Sequence, residues 1–404
     1  MGFHHGLSGL NAASKSLDVS GHNIANSNTI GFKKSRAEFN EMVASAMGSG
    51  QCPGSAGAGI GVSMAAVTQQ FSQGVITPTA NGLDMAINGD GFFVVNTPSG
   101  TAYTRNGAFQ LDKNGFLVTA NGDKVQGWAD ANATGTQPVD LQFPTGAGIP
   151  GRQTTGLSIQ AANLPATAPD AISVTPNTPR HTYGTSLQVY DSQGVAIPVE
   201  VYFVKNGSNT WDVYDSLDPA ATPVGQVQFD GEGKFASTTV TTLNVDPSLA
   251  NPNNPPAPFT VTLDLSGMTQ NDRKWSVDKM TQDGYASGEL TGVNVSKDGT
   301  LMASYSNGLT RPEGKVALAR FTNPQGLAPS GNNNWVQTND SGPVLYGSAG
   351  SGSFGQIQGA ALEESNVDLT AELVGMMTAQ RSYQANAQTI KTQDQVFSTL
   401  VNLR

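Results

Sequence analysis

Apolar residues near the start of the chain recur every seven positions, at Phe3, Leu10, Leu17 and Ile24. Leu7 fills one intermediate position, while Ser14 and Gly21 leave the others empty. The far end repeats the pattern in Leu369, Met376, Tyr383, Ile390 and Phe397. There Leu373, Ala387 and Val401 fill most intermediate positions, and Gln380 and Asp394 interrupt them. A sustained seven-residue period predicts helices suited to coiled-coil packing. Ser365 and Asp368 form a capping pattern ahead of the second helix, with Glu372 in its first turn and Lys391 and Arg404 late, as the helix dipole favours. The first helix is expected to stop in Asn26-Ser27-Asn28-Thr29, where Gly31 then supplies a permissive backbone.

From about residue 60 to 360 the pattern changes to short β-rich runs, such as Phe92 to Val95, Val199 to Val204 and Lys315 to Phe321. Asn-Gly pairs at 81, 88, 106, 114, 121, 206 and 307, and Asp-Gly pairs at 90, 230, 283 and 298, punctuate them. Such pairs predict two-residue hairpin turns with positive φ at both central positions. Pro144 to Thr155 is rich in Gly and Pro, and Asn251 to Pro258 holds four prolines. The expected fold is mainly β with α-helical termini, in a discontinuous multidomain chain. Residues 1–25 and 366–404 form terminal helices pairing as a coiled coil, and 26–71 with 359–365 form a connecting segment. Residues 72–144 with 285–358 form one antiparallel β domain, and 145–284 form a second, inserted into the first.

Composition sharpens this picture. With 404 residues the chain exceeds one ordinary core. Charged residues make up only 13%, replaced by Gly, Asn, Ser, Thr and Gln. Copies with such a surface lose little charge solvation on packing together. The net charge of −10 excludes a nucleic-acid partner, which needs a basic surface. Lys33, Lys34 and Arg36 do not reverse that and read as a solvated turn. Cys52 is the sole cysteine, so no intrachain disulfide forms; it is expected in a surface loop. Met1 to Ile30 lacks a signal-peptide pattern, and no apolar run approaches the ~20 residues of a membrane helix, so no membrane insertion is expected.

Chemistry is sparse. His4 and His5 are adjacent and do not share a helical face, and His22 is far along the same helix, so no metal site is expected. No histidine sits beside a Ser or Cys motif. Gly57-Ala58-Gly59-Ile60-Gly61 lacks nucleotide-loop spacing, and Asp112-Lys113-Asn114-Gly115 lacks the remaining ligands of a calcium loop. Glu363-Glu364 shows no sign of acid–base work. The reading is therefore not an enzyme, with no catalytic residue, cofactor or metal.

Several strings resemble one family. His22 to Lys33 (HNIANSNTIGFK), with Asn23, Ile24, Ala25, Asn26, Thr29, Gly31 and Phe32 as its motif residues, is similar to the N-terminal signature of the flagellar rod and hook axial proteins. Leu83 to Phe93, Tyr103 to Phe109 with Leu111-Asp112, Gly359 to Leu369, and Gln380 to Ala387 resemble further blocks of that family. The match covers both ends and the flanking β region; the middle carries fewer diagnostic strings. Rod members are shorter, so the length and the inserted domain point to the hook side.

The resemblance implies a subunit of a curved, flexible tube, a universal joint that transmits torque from rod to filament around an export channel. It implies self-association into a helical homopolymer, with rod proteins, hook–filament junction proteins, the hook cap and the flagellar type III export apparatus as partners. It also implies an extracellular place in the flagellar hook, reached without a cleaved signal peptide. The seam residues Phe3, Leu7, Leu10, Leu17, Ile24, Leu369, Leu373, Met376, Tyr383, Ile390 and Phe397 are the expected assembly residues. A distal rod subunit is the nearest alternative. An extracellular β-rich adhesin is the alternative from another class, and a β-helical polysaccharide lyase a distant third.

Overall fold

The computed structural model describes residues 2–43, 59–130, 137–143, 148–171, 179–250 and 256–402. Cys52 lies outside the described residues, as do the side chains of Phe3 and Val401. The chain divides into two compact units. One comprises Met1–Thr145, Gly292–Ser304 and Thr310–Arg404; the other comprises Gly146–Thr291 and Tyr305–Leu309.

In the first unit, α1 (Gly2–Ala25) and α2 (Leu369–Asn402) are the two helices that the seven-residue period predicts, and they pack together. Asp368 caps α2: its Oδ1 accepts from the backbone N–H of Thr370 at 2.9 Å and of Ala371 at 3.1 Å. Asn26 closes α1, its Nδ2 donating to the His22 carbonyl at 2.9 Å. The connecting segment 26–71 holds a pair of strands, of which only the second falls within the expected β-rich stretch. β1 (Ser35–Val43) and β2 (Gly59–Gln69) run antiparallel, with Phe39 opposite Met64 and Ala37 opposite Val67. Alternation in Ala37, Phe39 and Val43, and the β-branched Ile60, Val62 and Val67, supply strand preference. The Gly- and Ser-rich stretch between the two runs masks it.

The remaining strands of this unit pair so that the two ends of the chain share one body. The central order runs Thr300–Tyr305, Thr310–Arg320, Lys124–Trp128, Phe92–Thr97, Gly100–Thr104. Its core includes Phe92, Tyr103, Trp128, Phe321 and Trp335, with edge-to-face rings such as Tyr103 and Phe321 at 4.7 Å. Two short pairings join distant sequence: Ile76–Pro78 with Ala361–Glu363, and Met85–Asn88 with Gln356–Gly359.

The second unit packs two five-stranded sheets around Phe203, Trp211, Leu164 and Leu243. One, from Gly184–Tyr190 to Phe235–Thr238, is a meander of antiparallel strands. The other is mixed, where an antiparallel domain was expected. Gly156–Pro165 runs parallel to Phe259–Asp264 and Met268–Asn271 and antiparallel to Ser276–Gln282. The whole meander lies between the parallel partners, which is the long crossover that parallel pairing requires. The Asn-Gly turns also differ from expectation. Gly115, Gly122 and Gly308 have positive φ, but the asparagine before each does not. Gly308 N donates to the Tyr305 carbonyl at 3.0 Å, the arrangement of a type I turn closed by a left-handed residue.

Candidate assembly surfaces and their buried anchor

The helices run antiparallel, because Gly6 of α1 meets Ile390 of α2 while Gly9 meets Asn386. A Cβ on Gly6 would stand 2.9 Å from Ile390 Cγ1, so the close approach depends on the missing side chain. Ala13 and Ala379 are buried in the same seam. Of the predicted seam residues, Leu10, Leu17, Ile24, Met376 and Ile390 are half-buried. On α2 they align with Glu372, Ala379, Asn386 and Gln393, three residues after the main heptad positions rather than four. Small and polar residues thus supply half the seam, and counting apolar positions alone does not find them.

The other predicted seam residues stay exposed: Leu7, Leu369, Leu373 (42%), Tyr383 and Phe397 (59%). Val374, Met377 and Val396 extend this surface. Length explains part of it. At 1.5 Å per residue the 24 residues of α1 reach ~36 Å and the 34 of α2 ~51 Å. With Gly6 opposite Ile390, the last turns of α2, carrying Val396 and Phe397, run past the start of α1. The β1–β2 pair contributes as well. It packs on α1, where Val62 N donates to Ser8 Oγ at 3.3 Å, and Phe39, Met64 and Val67 on one face of the pair are exposed.

The base of the helix pair is held by a buried ionic cluster. Lys33 Nζ donates to Glu363 Oε1 at 2.6 Å and to the Ser72 carbonyl at 2.7 Å. Arg105 donates to Glu363 Oε2 at 3.1 Å and to the Gly89 carbonyl at 2.8 Å. Gly74 N donates to Glu363 Oε1 at 2.8 Å. The Lys33 and Glu363 side chains are 0% exposed and that of Arg105 5%. Lys33 is therefore no part of a solvated turn: its ammonium reaches inward to a carboxylate 330 residues away in sequence. Two cations share one carboxylate, and Arg105 Nε is buried without a partner. Burial lowers the pKa of Lys33 below its ordinary value, Glu363 opposing and Arg105 reinforcing the shift. Burial lowers that of Arg105 as well, again against Glu363.

This cluster gathers the separate sequence blocks. Lys33 belongs to the first, Gly89 to the second, Arg105 to the third and Glu363 to the C-terminal one. The remaining motif residues tie the same junction. Asn23 is buried and exchanges two hydrogen bonds with the Ser35 backbone, at 2.8 and 2.9 Å. Ile24 is half-buried and Ala25 exposed at the end of α1. Thr29 Oγ1 donates to Asn26 Oδ1 at 3.2 Å. Gly31 N donates to the Glu363 carbonyl at 2.8 Å. Gly31 has φ of +68°, and a Cβ there would lie 2.6 Å from Asn106 N. Phe32 is buried, its ring edge-on to His22 at 5.6 Å. Asn366 completes the lock, accepting from Lys34 N at 2.8 Å and donating to the Gln70 carbonyl at 2.8 Å.

Four family models match in chain order. They are the flagella basal body rod protein over residues 3–33, the flagellar hook protein FlgE/F/G D1 domain over 86–166, the flagellar basal body protein FlaE D2 domain over 161–285, and the flagellar basal body rod FlgEFG protein C-terminal over 358–403. The flagellar hook protein FlgE of Escherichia coli (strain K12) is 42% identical over 421 residues, covering 100% of both chains. This chain belongs to the flagellar hook protein family. FlgE of Salmonella typhimurium is likewise 42% identical over 425 residues and 100% of both chains. FlgE of Borreliella burgdorferi is 33% identical over 442 residues and 99% of each. The family is structural, and the first and last models meet in space at the Lys33–Glu363 pair. Among the described residues of this hook-family chain, no cluster of three or more His, Cys, Asp or Glu could hold a metal ion, and no helix is long and apolar enough to cross a membrane.

Proposed function

We propose that this structural subunit of the flagellar hook polymerises through the apolar surface its terminal helices leave uncovered. The observation that carries the reading is the split seam. Leu10, Leu17, Ile24, Met376 and Ile390 serve the pair within one chain, whereas Leu7, Leu369, Leu373, Tyr383 and Phe397 remain for neighbours. Burying one large apolar side chain is worth ~1.5–3 kcal/mol. These five are a little under half exposed in the single chain, so covering the remainder supplies on the order of 5 kcal/mol, within the ~4–15 kcal/mol cost of association that the other contacts of the polymer must also meet. Contact between unlike faces of successive copies, where the rotation does not close, builds a helical tube.

In this reading the helices line the inside of the tube and enclose the export channel, and the β units form its outer wall. The buried cluster at Lys33, Arg105 and Glu363 keeps each helix pair at a set angle to its β body, so bending is taken up between subunits. The weakly charged outer surfaces slide as one side of the tube shortens, and torque passes from rod to filament. Rod and junction proteins meet the ends of the polymer, the cap its growing tip, and the type III apparatus delivers the chain. Electron microscopy of the concentrated, purified chain tests this. Curved, flexible tubes are expected; straight rigid tubes favour a rod subunit, and a persistent monomer that binds carbohydrate favours an adhesin.

A further inference from the structure

The first unit contains a cavity of about 500 Å³ beside the end of α1, which the assembly seam does not use. Its floor is apolar, formed by the buried Phe32 and Trp335. Its rim carries carboxamides: Asn106, Asn121, Asn332 and Gln69. Asn121 and Asn332 make no side-chain hydrogen bond among the described residues. Asn106 uses only its Oδ1, which accepts from Ala108 N at 3.0 Å, and Gln69 only its Oε1, which accepts from Trp335 Nε1. The cavity presents no carboxylate, and its lysine, Lys33, is spent on Glu363.

The rim is built in advance. Asn332 and Asn333 are consecutive left-handed residues, with φ of 53° and 59°. Asparagine is among the few residues that tolerate this conformation. Thr104 Oγ1 donates to the Asn333 carbonyl at 2.8 Å, and Asn333 Nδ2 donates to the Ile30 carbonyl at 2.9 Å, which pins the turn over the cavity.

We infer that this cavity receives an extended, uncharged segment of a neighbouring copy of the same chain. Free carboxamides both donate and accept, as the N–H and C=O groups of an extended main chain require. The volume lies within the ~300–1,000 Å³ of ordinary binding pockets. Apart from the imidazole of His22, whose Nδ1 faces Asn26 Nδ2, a phosphate or an acidic peptide finds no cationic side chain on the lining that is not already paired. The chain's own surface, with 13% charged residues and abundant Gly, Asn, Ser and Thr, matches the neutral lining. The cavity also adjoins α1, so an occupant from a second copy continues the surface proposed for assembly, and the inference rests on that reading.

The test is the critical concentration for polymerisation of the full chain, measured by sedimentation. Ala120 lines the cavity from an exposed turn, and Ala120→Trp places an indole in it. A rise of tenfold or more with an unchanged melting temperature is expected. Wild-type polymerisation by Ala120→Trp with unchanged melting overturns the inference. Hydrogen exchange on the wild-type chain gives a second readout independent of any variant. The amides of 120–122 and 331–335 should slow on polymerisation, and equal exchange in monomer and polymer overturns the inference. Protection of those amides by added oligosaccharide in the monomer, with none on polymerisation, assigns the cavity to a glycan and also overturns it. Absence of any wild-type polymer defeats the assembly reading itself, whereas the preceding outcomes leave that reading standing.

Discussion

Replacing Glu363 by Gln keeps the shape of the side chain and removes the carboxylate that pairs with both Lys33 and Arg105. Both cations are then left in a site where the Lys33 and Glu363 side chains are 0% exposed and that of Arg105 is 5%. The amide also replaces an acceptor oxygen with a donor, so either Arg105 or the Lys33 and Gly74 pair of donors faces an N–H. Removing one partner of a buried ion pair costs ~3–5 kcal/mol, and two stranded cations place this case near 4 kcal/mol. At ~2–4 °C per kcal/mol for a unit of this size, melting of the first unit falls by about 10 °C. Calorimetry of the full chain reads this directly, because the second unit, which holds Trp211 and Trp275, serves as an internal reference. The double variant Lys33→Met/Glu363→Gln should recover part of the loss by removing one stranded cation. A loss below about 1 kcal/mol in Glu363→Gln would show that the cluster is solvated and does not hold the junction.

Gly31→Ala should destabilise the first unit by about 2 kcal/mol or more, read by urea denaturation, because it combines a left-handed φ with a Cβ 2.6 Å from Asn106 N. Asp283 should make the second unit acid-sensitive. Burial raises its pKa, but hydrogen bonds from the Thr155 hydroxyl and from Gly156 and Thr155 N–H outweigh burial and hold it below the usual carboxylate value. A lowered carboxylate pKa stabilises the fold above the unfolded-state value and ceases to do so as pH falls through the folded-state value, so Asp283→Asn should flatten the acid side of the melting profile. Excising 146–291 with a short linker should leave polymerisation intact but give straighter tubes by electron microscopy. The ends of the excised unit lie together, since Ile149 bridges Gly288.

The parts of the fold visible in the sequence are those written in local pattern. The seven-residue repeats announce α1 and α2, Asp368 announces where α2 begins, and runs such as Phe92 to Val95 announce strands. Phase was harder to read. Gly6, Gly9 and Ala379 form the seam within the chain because they are small, and a search for Leu and Ile passes over them. The β1–β2 pair is obscured by the Gly- and Ser-rich stretch between its strands. Lys33 reads as solvated beside Lys34 and Arg36, because nothing local reveals a carboxylate 330 residues on. One clue was available: Lys33, Arg105 and Glu363 each lie inside a block carrying the family resemblance, where an unexplained charge suggests a partner in another block.

The claim that assembly depends on the uncovered half of the helix surface is tested most directly by the critical concentration for polymerisation of Leu373→Asp and Phe397→Asp. Both side chains are exposed in the single chain, at 42% and 59%, so each variant should fold as the wild type does. Burying an unpaired carboxylate against a neighbour costs several kcal/mol, and each ~1.4 kcal/mol is tenfold in concentration. The critical concentration should therefore rise about 100-fold or more. Thr392→Asp, at an exposed position that is already polar, should stay near the wild-type value. Wild-type tubes at wild-type concentration from both Leu373→Asp and Phe397→Asp would contradict the claim.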